Sequence, residues 1–135
     1  MNQLKGTITE TQTHEGLSMV RVKTQNDIIF SSLVLDDGQS EHWLVEGKKV
    51  NLLFKEIEVI ISKDAPANIS IQNRLPGIIK SLKIGVLLGQ VELLFGETMI
   101  TSIITANACR QLNLKENDHV TALIKTNEIS LSPDD

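Results

Sequence analysis

The sequence predicts an all-β chain folded as two tandem small barrels, each with one short helical turn. Three observations carry this expectation. An internal repeat runs through the chain at an offset of 70 or 71 residues, so that "NQLKGTITE" from Asn2 meets "NRLPGIIKS" from Asn73, and "LVEGKKVNLLFKEIEVIIS" from Leu44 meets "LKENDHVTALIKTNEISLS" from Leu114. Similarity at both ends of each unit, in the same order, marks duplicated structural units. Short runs rich in Ile, Val and Thr, bounded by Gly, Asn and Asp, suit the strands of small sheets or barrels. Midway, the polar, Pro-containing "SKDAPAN" of residues 62–68 breaks the apolar pattern, which places the units at residues 1–64 and 68–135.

Each element follows from its local pattern. The Asn-x-Leu-x-Gly stretches open the first strand of each unit, and Gly6 and Gly77 are placed where a strand turns or bulges tightly. Val20 and Val22 alternate with Arg21 and Lys23, and Val91, Leu93 and Phe95 share a face opposite Glu92, which gives a second strand to each unit. "IIFSSLVL" and "TMITSIIT" read as third strands. "GQSEHWL" (38–44) and "TANACRQL" (105–112) read as helical turns, and two further strands close each unit, the last of them "EVIIS" in the first. Three strands, a short helix and two strands are the order of a small OB-like barrel. Phe30 and Trp43 are expected in the core, and the terminal Asp134-Asp135 is expected as solvent-facing chain.

Composition narrows the function. The 135 residues are 41% hydrophobic and 22% charged, an ordinary globular balance. The net charge is −4, with seven Lys/Arg against ten Asp/Glu in residues 1–64 and six against seven thereafter. Neither half is basic, so bulk attraction to nucleic acid or to an anionic membrane is not expected, and any anion site rests on a few local donors. Aromatic residues make up 3% of the chain, too few for a single-strand nucleic-acid groove. Cys109 is alone, and His14, His42 and His119 lack metal-ligand spacing, so no metal site is expected. No nucleophile–base pair or phosphate loop points to an enzyme. The start carries no basic-then-apolar leader, and no apolar run is long enough to span a bilayer, so a cytoplasmic location is expected.

The stretch "SIQNRLPG" followed by "SIITANACRQLNLKENDHVTALIKTNEISLS" resembles the Mop or TOBE domain across residues 70–132, with "VTALIK" its most specific piece. Residues 2–62 form a weaker copy, so the pair resembles the di-Mop arrangement of molbindins. The resemblance implies an OB-like fold, a homo-oligomer with exchanged strands, and molybdate or tungstate bound at subunit or domain interfaces. It implies oxyanion-binding roles for Ser70, Ile71, Gln72, Asn73, Thr105, Lys125 and Thr126, with Lys55 a weaker candidate from the first repeat. Such a dianion offers only acceptors, so hydroxyls, amides and a lysine are the fitting inventory. Thr105 also reads as the N-cap of the helical turn that follows it.

The departures from the family pattern fall at Gln72, where Arg is frequent, at Ala108, where Ser is frequent, and at Asn117, where Gly is frequent. The first repeat has Leu35 about where Thr105 falls, and Glu56 follows Lys55, so this half reads as scaffold. The leading expectation is therefore an oxyanion binder for intracellular storage, buffering or sensing. The alternative is an oligomerisation or regulatory module of the same fold that no longer binds an anion.

Overall fold

The structure is a computed structural model that describes residues 1–35, 42–66 and 68–135. The first repeat contributes β1 (Asn2–His14), β2 (Leu17–Thr24), β3 (Ile29–Leu35), β4 (Lys49–Phe54), a 3-10 turn (Glu56–Glu58) and β5 (Ile60–Ser62). The second contributes β6 (Asn73–Ile84), β7 (Leu88–Phe95), β8 (Thr98–Thr105), helix α1 (Ala106–Gln111), β9 (His119–Ile124), a 3-10 turn (Thr126–Glu128) and β10 (Ser130–Pro133). The nearly all-β character and the tandem architecture are as the sequence predicts. Of the two expected helical turns, "TANACRQL" forms α1, capped by Thr105 Oγ1, which accepts from Ala108 N at 3.0 Å. Most of "GQSEHWL" lies outside the described residues. No helix among the described residues is long and apolar enough to cross a membrane.

Two five-stranded antiparallel sheets run β10-β4-β1-β2-β3 and β5-β9-β6-β7-β8. Each sheet thus takes one edge strand from the other repeat: β10 pairs with β4 at Leu131↔Leu52, and β5 pairs with β9 at Ile61↔Ala122. Alternation decides which face is inside. Val20, Val22, Leu52 and Phe54 from the first sheet and Val91, Leu93, Ile79 and Ile124 from the second belong to one continuous core, with Phe30 fully buried and Trp43 packed on its margin. The tail is not loose chain. Asp134 N donates to Lys49 O at 3.0 Å, and Asp134 and Asp135 pair with Lys5 and Lys48. It continues the β10 edge because β4 still offers a free carbonyl there.

The repeated glycines do not sit at the irregularity expected of them. The register slips between Ile8 and Glu10 in β1 and between Ile79 and Ser81 in β6, two to three residues further on. The glycines instead allow the neighbouring strand to come close. A Cβ on Gly6 would lie 2.5 Å from Val22 Cγ1 and 2.7 Å from Lys23 O, and one on Gly77 would lie 3.0 Å from Leu94 O. At each bulge the chain closes on the β3–β4 or α1–β9 connection: Gly47 N donates to Ile8 O and Asn117 N to Ile79 O, both at 2.8 Å. Gly47 and Asn117 occupy the same left-handed position, at φ 90° and 71°. Asn is the side chain that best tolerates this region after Gly, which explains the departure at Asn117.

Candidate functional site

The lead-in to the second repeat is built by Asn73 and Arg74. Asn73 is fully buried, and its amide makes a reciprocal pair with Ser31 of β3: Nδ2 donates to Ser31 O at 2.9 Å, and Oδ1 accepts from Ser31 N at 2.7 Å. It is therefore a backbone clamp, with both functional atoms of its side chain engaged. Arg74 donates to the carbonyls of Pro66, Ile69 (2.9 Å) and Ile71 (3.0 Å), folding the segment before Asn73 around its guanidinium. Ser70 and Gln72 remain exposed, and Ile71 is half-buried.

The register of β6 on β9 sets what faces this lead-in. Asn73 lies opposite Ile124, so the next residues outward are Gln72 on one strand and Lys125 on the other. Lys125 is exposed and begins the 3-10 turn Thr126–Glu128, with Thr126 half-buried behind it. Ser70, Ile71, Gln72, Asn73, Lys125 and Thr126 thus come to one end of the second sheet. The strand that passes this end is β3 of the first repeat, which packs on the Thr126–Glu128 turn and finishes at Leu35.

Thr105 lies elsewhere. It ends β8, which packs on the Glu56–Glu58 turn of the first repeat, the turn that Lys55 begins. The turn that carries each lysine therefore packs on the third strand of the other repeat, and the two turns meet at Glu58 and Glu128. One of these contacts has the lead-in and the Lys125 turn against β3, which meets them at Ser31 and Ser32. The other has the turn that carries Lys55 and Glu56 against β8, the strand that ends at Thr105. The ammonium of Met1, hydrogen-bonded to Glu56 at 2.9 Å, holds that carboxyl below its usual range and offsets its charge in an ion pair.

A glutamate follows each candidate lysine by three residues, at Glu58 and Glu128. The structure brings these two together. Partial burial, a hydrogen bond with the Glu58 carboxyl and its charge push Glu128 up, and Lys125 opposes this by favouring the carboxylate. Lys125 therefore has a carboxyl neighbour, whose negative charge offsets the lysine's less when that carboxyl is protonated. Cys109 is buried against the core, which pushes its thiol up and makes it unreactive.

Sequence similarity now bears on this geometry. The TOBE domain pattern matches residues 69–131. Molybdenum-pterin-binding proteins 1 and 2 of Clostridium pasteurianum are 37% and 35% identical over 65 residues, which is 47% of this chain and 96% of each relative. The chain belongs to the TOBE-domain family of Mop-like proteins. A solved structure, the cytoplasmic molybdate-binding protein ModG with molybdate bound, matches across both repeats: the TM-score is 0.92 at 26% identity, covering 98% of this chain and 95% of that one. This TOBE-family chain thus has the tandem architecture from end to end, while the relatives of about 65 residues correspond to a single unit.

Proposed function

We propose that this chain binds molybdate or tungstate in the cytoplasm, as a storage, buffering or sensing protein rather than a catalyst. The observation that supports the reading is the β6–β9 register, whose last pair, Asn73 opposite Ile124, lies next to Gln72 on one strand and Lys125 on the other. Its support from similarity is the end-to-end likeness to a protein with molybdate bound. In this reading Ser70 Oγ, the amides of Ile71 and Gln72, and Lys125 Nζ donate to the anion. Asn73 holds β3 in place behind them, and Thr126 carries the chain away into its turn. The turn that carries Lys55 is the weaker place, because Glu56 follows that lysine where Thr126 follows Lys125.

The same reading divides the chain into a first unit at 1–64 and a second at 68–135, joined at interfaces that carry both candidate places. It also includes a homo-oligomer. Leu35, Val86 and Leu87 are 79%, 90% and 77% exposed, and large apolar side chains so exposed favour cover by another copy. Strand exchange between the repeats already occurs within one chain.

Titration calorimetry with molybdate, tungstate, sulfate and phosphate tests the reading. Saturable heat is expected for the first two, lost in Lys125→Ala and retained in Lys55→Ala. No heat from any oxyanion with the intact assembly would overturn it and leave the oligomerisation module. Equal loss in both variants would overturn the ranking of the two ends.

A further inference from the structure

The outer face of the first sheet carries a cationic row that its counterpart lacks. On β1, Thr7 lies directly opposite Lys23 of β2 and Lys49 of β4. Lys5, two residues earlier on the same strand, shares that face. These side chains, with Gln25 and Asp134, line a cavity of about 440 Å³. In the second repeat the same register places Ile78 opposite Leu94 and His119, over a cavity of about 420 Å³. The two cavities are alike in size and position, but the second has one lysine, Lys63, where the first has three.

A row of ammonium groups on adjacent strands costs stability through like-charge repulsion unless something anionic lies among them. The chain itself supplies a partial answer. Asp134 Oδ2 is 3.6 Å from Lys5 Nζ, and Asp134 N is anchored on Lys49 O at 3.0 Å, so this carboxylate enters the cavity from the β10 edge. Lys23 pairs with Asp27 at 3.3 Å, and Lys49 has no ion pair among the described residues.

We propose that this groove is a second anion site, separate from the Lys125 end, that takes a diphosphate-sized polyanion and is partly occupied by Asp134 as a tethered competitor. The size follows from the sheet. Adjacent strands are ~4.8 Å apart, so the Lys23 and Lys49 backbones stand about 10 Å apart across β1. Their ammonium groups can grip two anionic groups of one ligand from either side, with the Thr7 hydroxyl a donor between them. A single tetrahedral oxyanion fills little of this space and meets both lysines less readily. The site does not depend on the reading given for the Lys125 end.

The test is titration calorimetry of the full chain with inorganic pyrophosphate, and with orthophosphate as the single-phosphate comparison, at low ionic strength. Pyrophosphate is expected to bind more tightly than orthophosphate. The Lys23→Gln/Lys49→Gln double variant is expected to lose about tenfold or more in pyrophosphate affinity, as loss of charge-assisted bonds implies. The Asp134→Asn/Asp135→Asn variant is expected to gain affinity as the competitor is weakened. Unchanged pyrophosphate affinity in the lysine variant, with its melting temperature preserved, would overturn the site. Unchanged affinity in the aspartate variant would overturn the competitor role. A molybdate titration of the same lysine variant reports on the Lys125 end separately, so failure of one reading is distinguishable from failure of the other.

Discussion

Asn2 and Asn73 show how one residue type can be repeated to clamp the edge strand of the other repeat. Asn2 bridges Thr101 of β8, donating to its carbonyl and accepting from its N–H, both at 2.8 Å, as Asn73 bridges Ser31 of β3. β3 and β8 are edge strands, and each clamp pairs backbone groups on an otherwise open edge. Asn73→Ala leaves a buried donor and acceptor unpaired, so a loss of about 2–4 kcal/mol is expected in urea unfolding. Asn2→Ala should cost less, because its bridge is only partly buried. The asparagines were legible as a repeated motif, but a motif that recurs in sequence carries no information about which strand of the other repeat it reaches. The Glu58–Glu128 pair gives a pH dependence. The folded-state pKa of Glu128 is raised, so the pair favours folding when protonated, and that contribution is lost as pH rises through the folded pKa. Glu128→Gln is therefore expected to raise the melting temperature at neutral pH, with the gain shrinking below the usual carboxylate range. The same variant should tighten molybdate binding at neutral pH by removing an anion beside Lys125. A fall in both quantities would contradict this assignment.

At the scale of single elements, periodicity did most of the work. Val20/Val22 and Val91/Leu93 point inward because alternate residues of a strand face opposite sides, and their burial is complete or nearly so. The cap of α1 by Thr105 was legible for the same local reason, since a hydroxyl before a helix finds a free N–H within three residues. The glycines were misplaced because closeness between strands leaves no mark on the strand itself. Gly6→Ala would drive a methyl group into Val22 and the Lys23 carbonyl, and a loss of about 1–3 kcal/mol is expected from overpacking. Gly77→Ala, with its nearest atom at 3.0 Å, should lose less. Comparing the two variants by denaturant midpoint checks the claim, and equal losses would argue against it. The 3-10 turns after Lys55 and Lys125 are not legible in the sequence because three residues are too few to show a period.

The whole molecule is organised by exchange. β5 leaves the first repeat to pair with β9, β10 leaves the second to pair with β4, and Ser32 Oγ and Ser102 Oγ bond across to Ile129 O and Val59 O at 2.7 and 2.8 Å. Neither repeat therefore completes its own sheet. A single cooperative transition is expected in scanning calorimetry, and residues 1–64 expressed alone should not fold as a barrel. Two resolved transitions, or a dispersed NMR spectrum from the fragment, would contradict this.

The sequence by itself determined the strand content, the duplication, the family and the residue types available to hold an anion. All of these are encoded in local period or in motifs whose meaning travels with the residues. Only the tertiary structure decided that Asn73 lies opposite Ile124, that each lysine-bearing turn packs on the third strand of the other repeat, and that Lys5, Lys23 and Lys49 form one row around Thr7. The reason is physical. Partnership across strands depends on register and on which edge a terminal strand joins, and both are set by core packing between residues far apart in the chain.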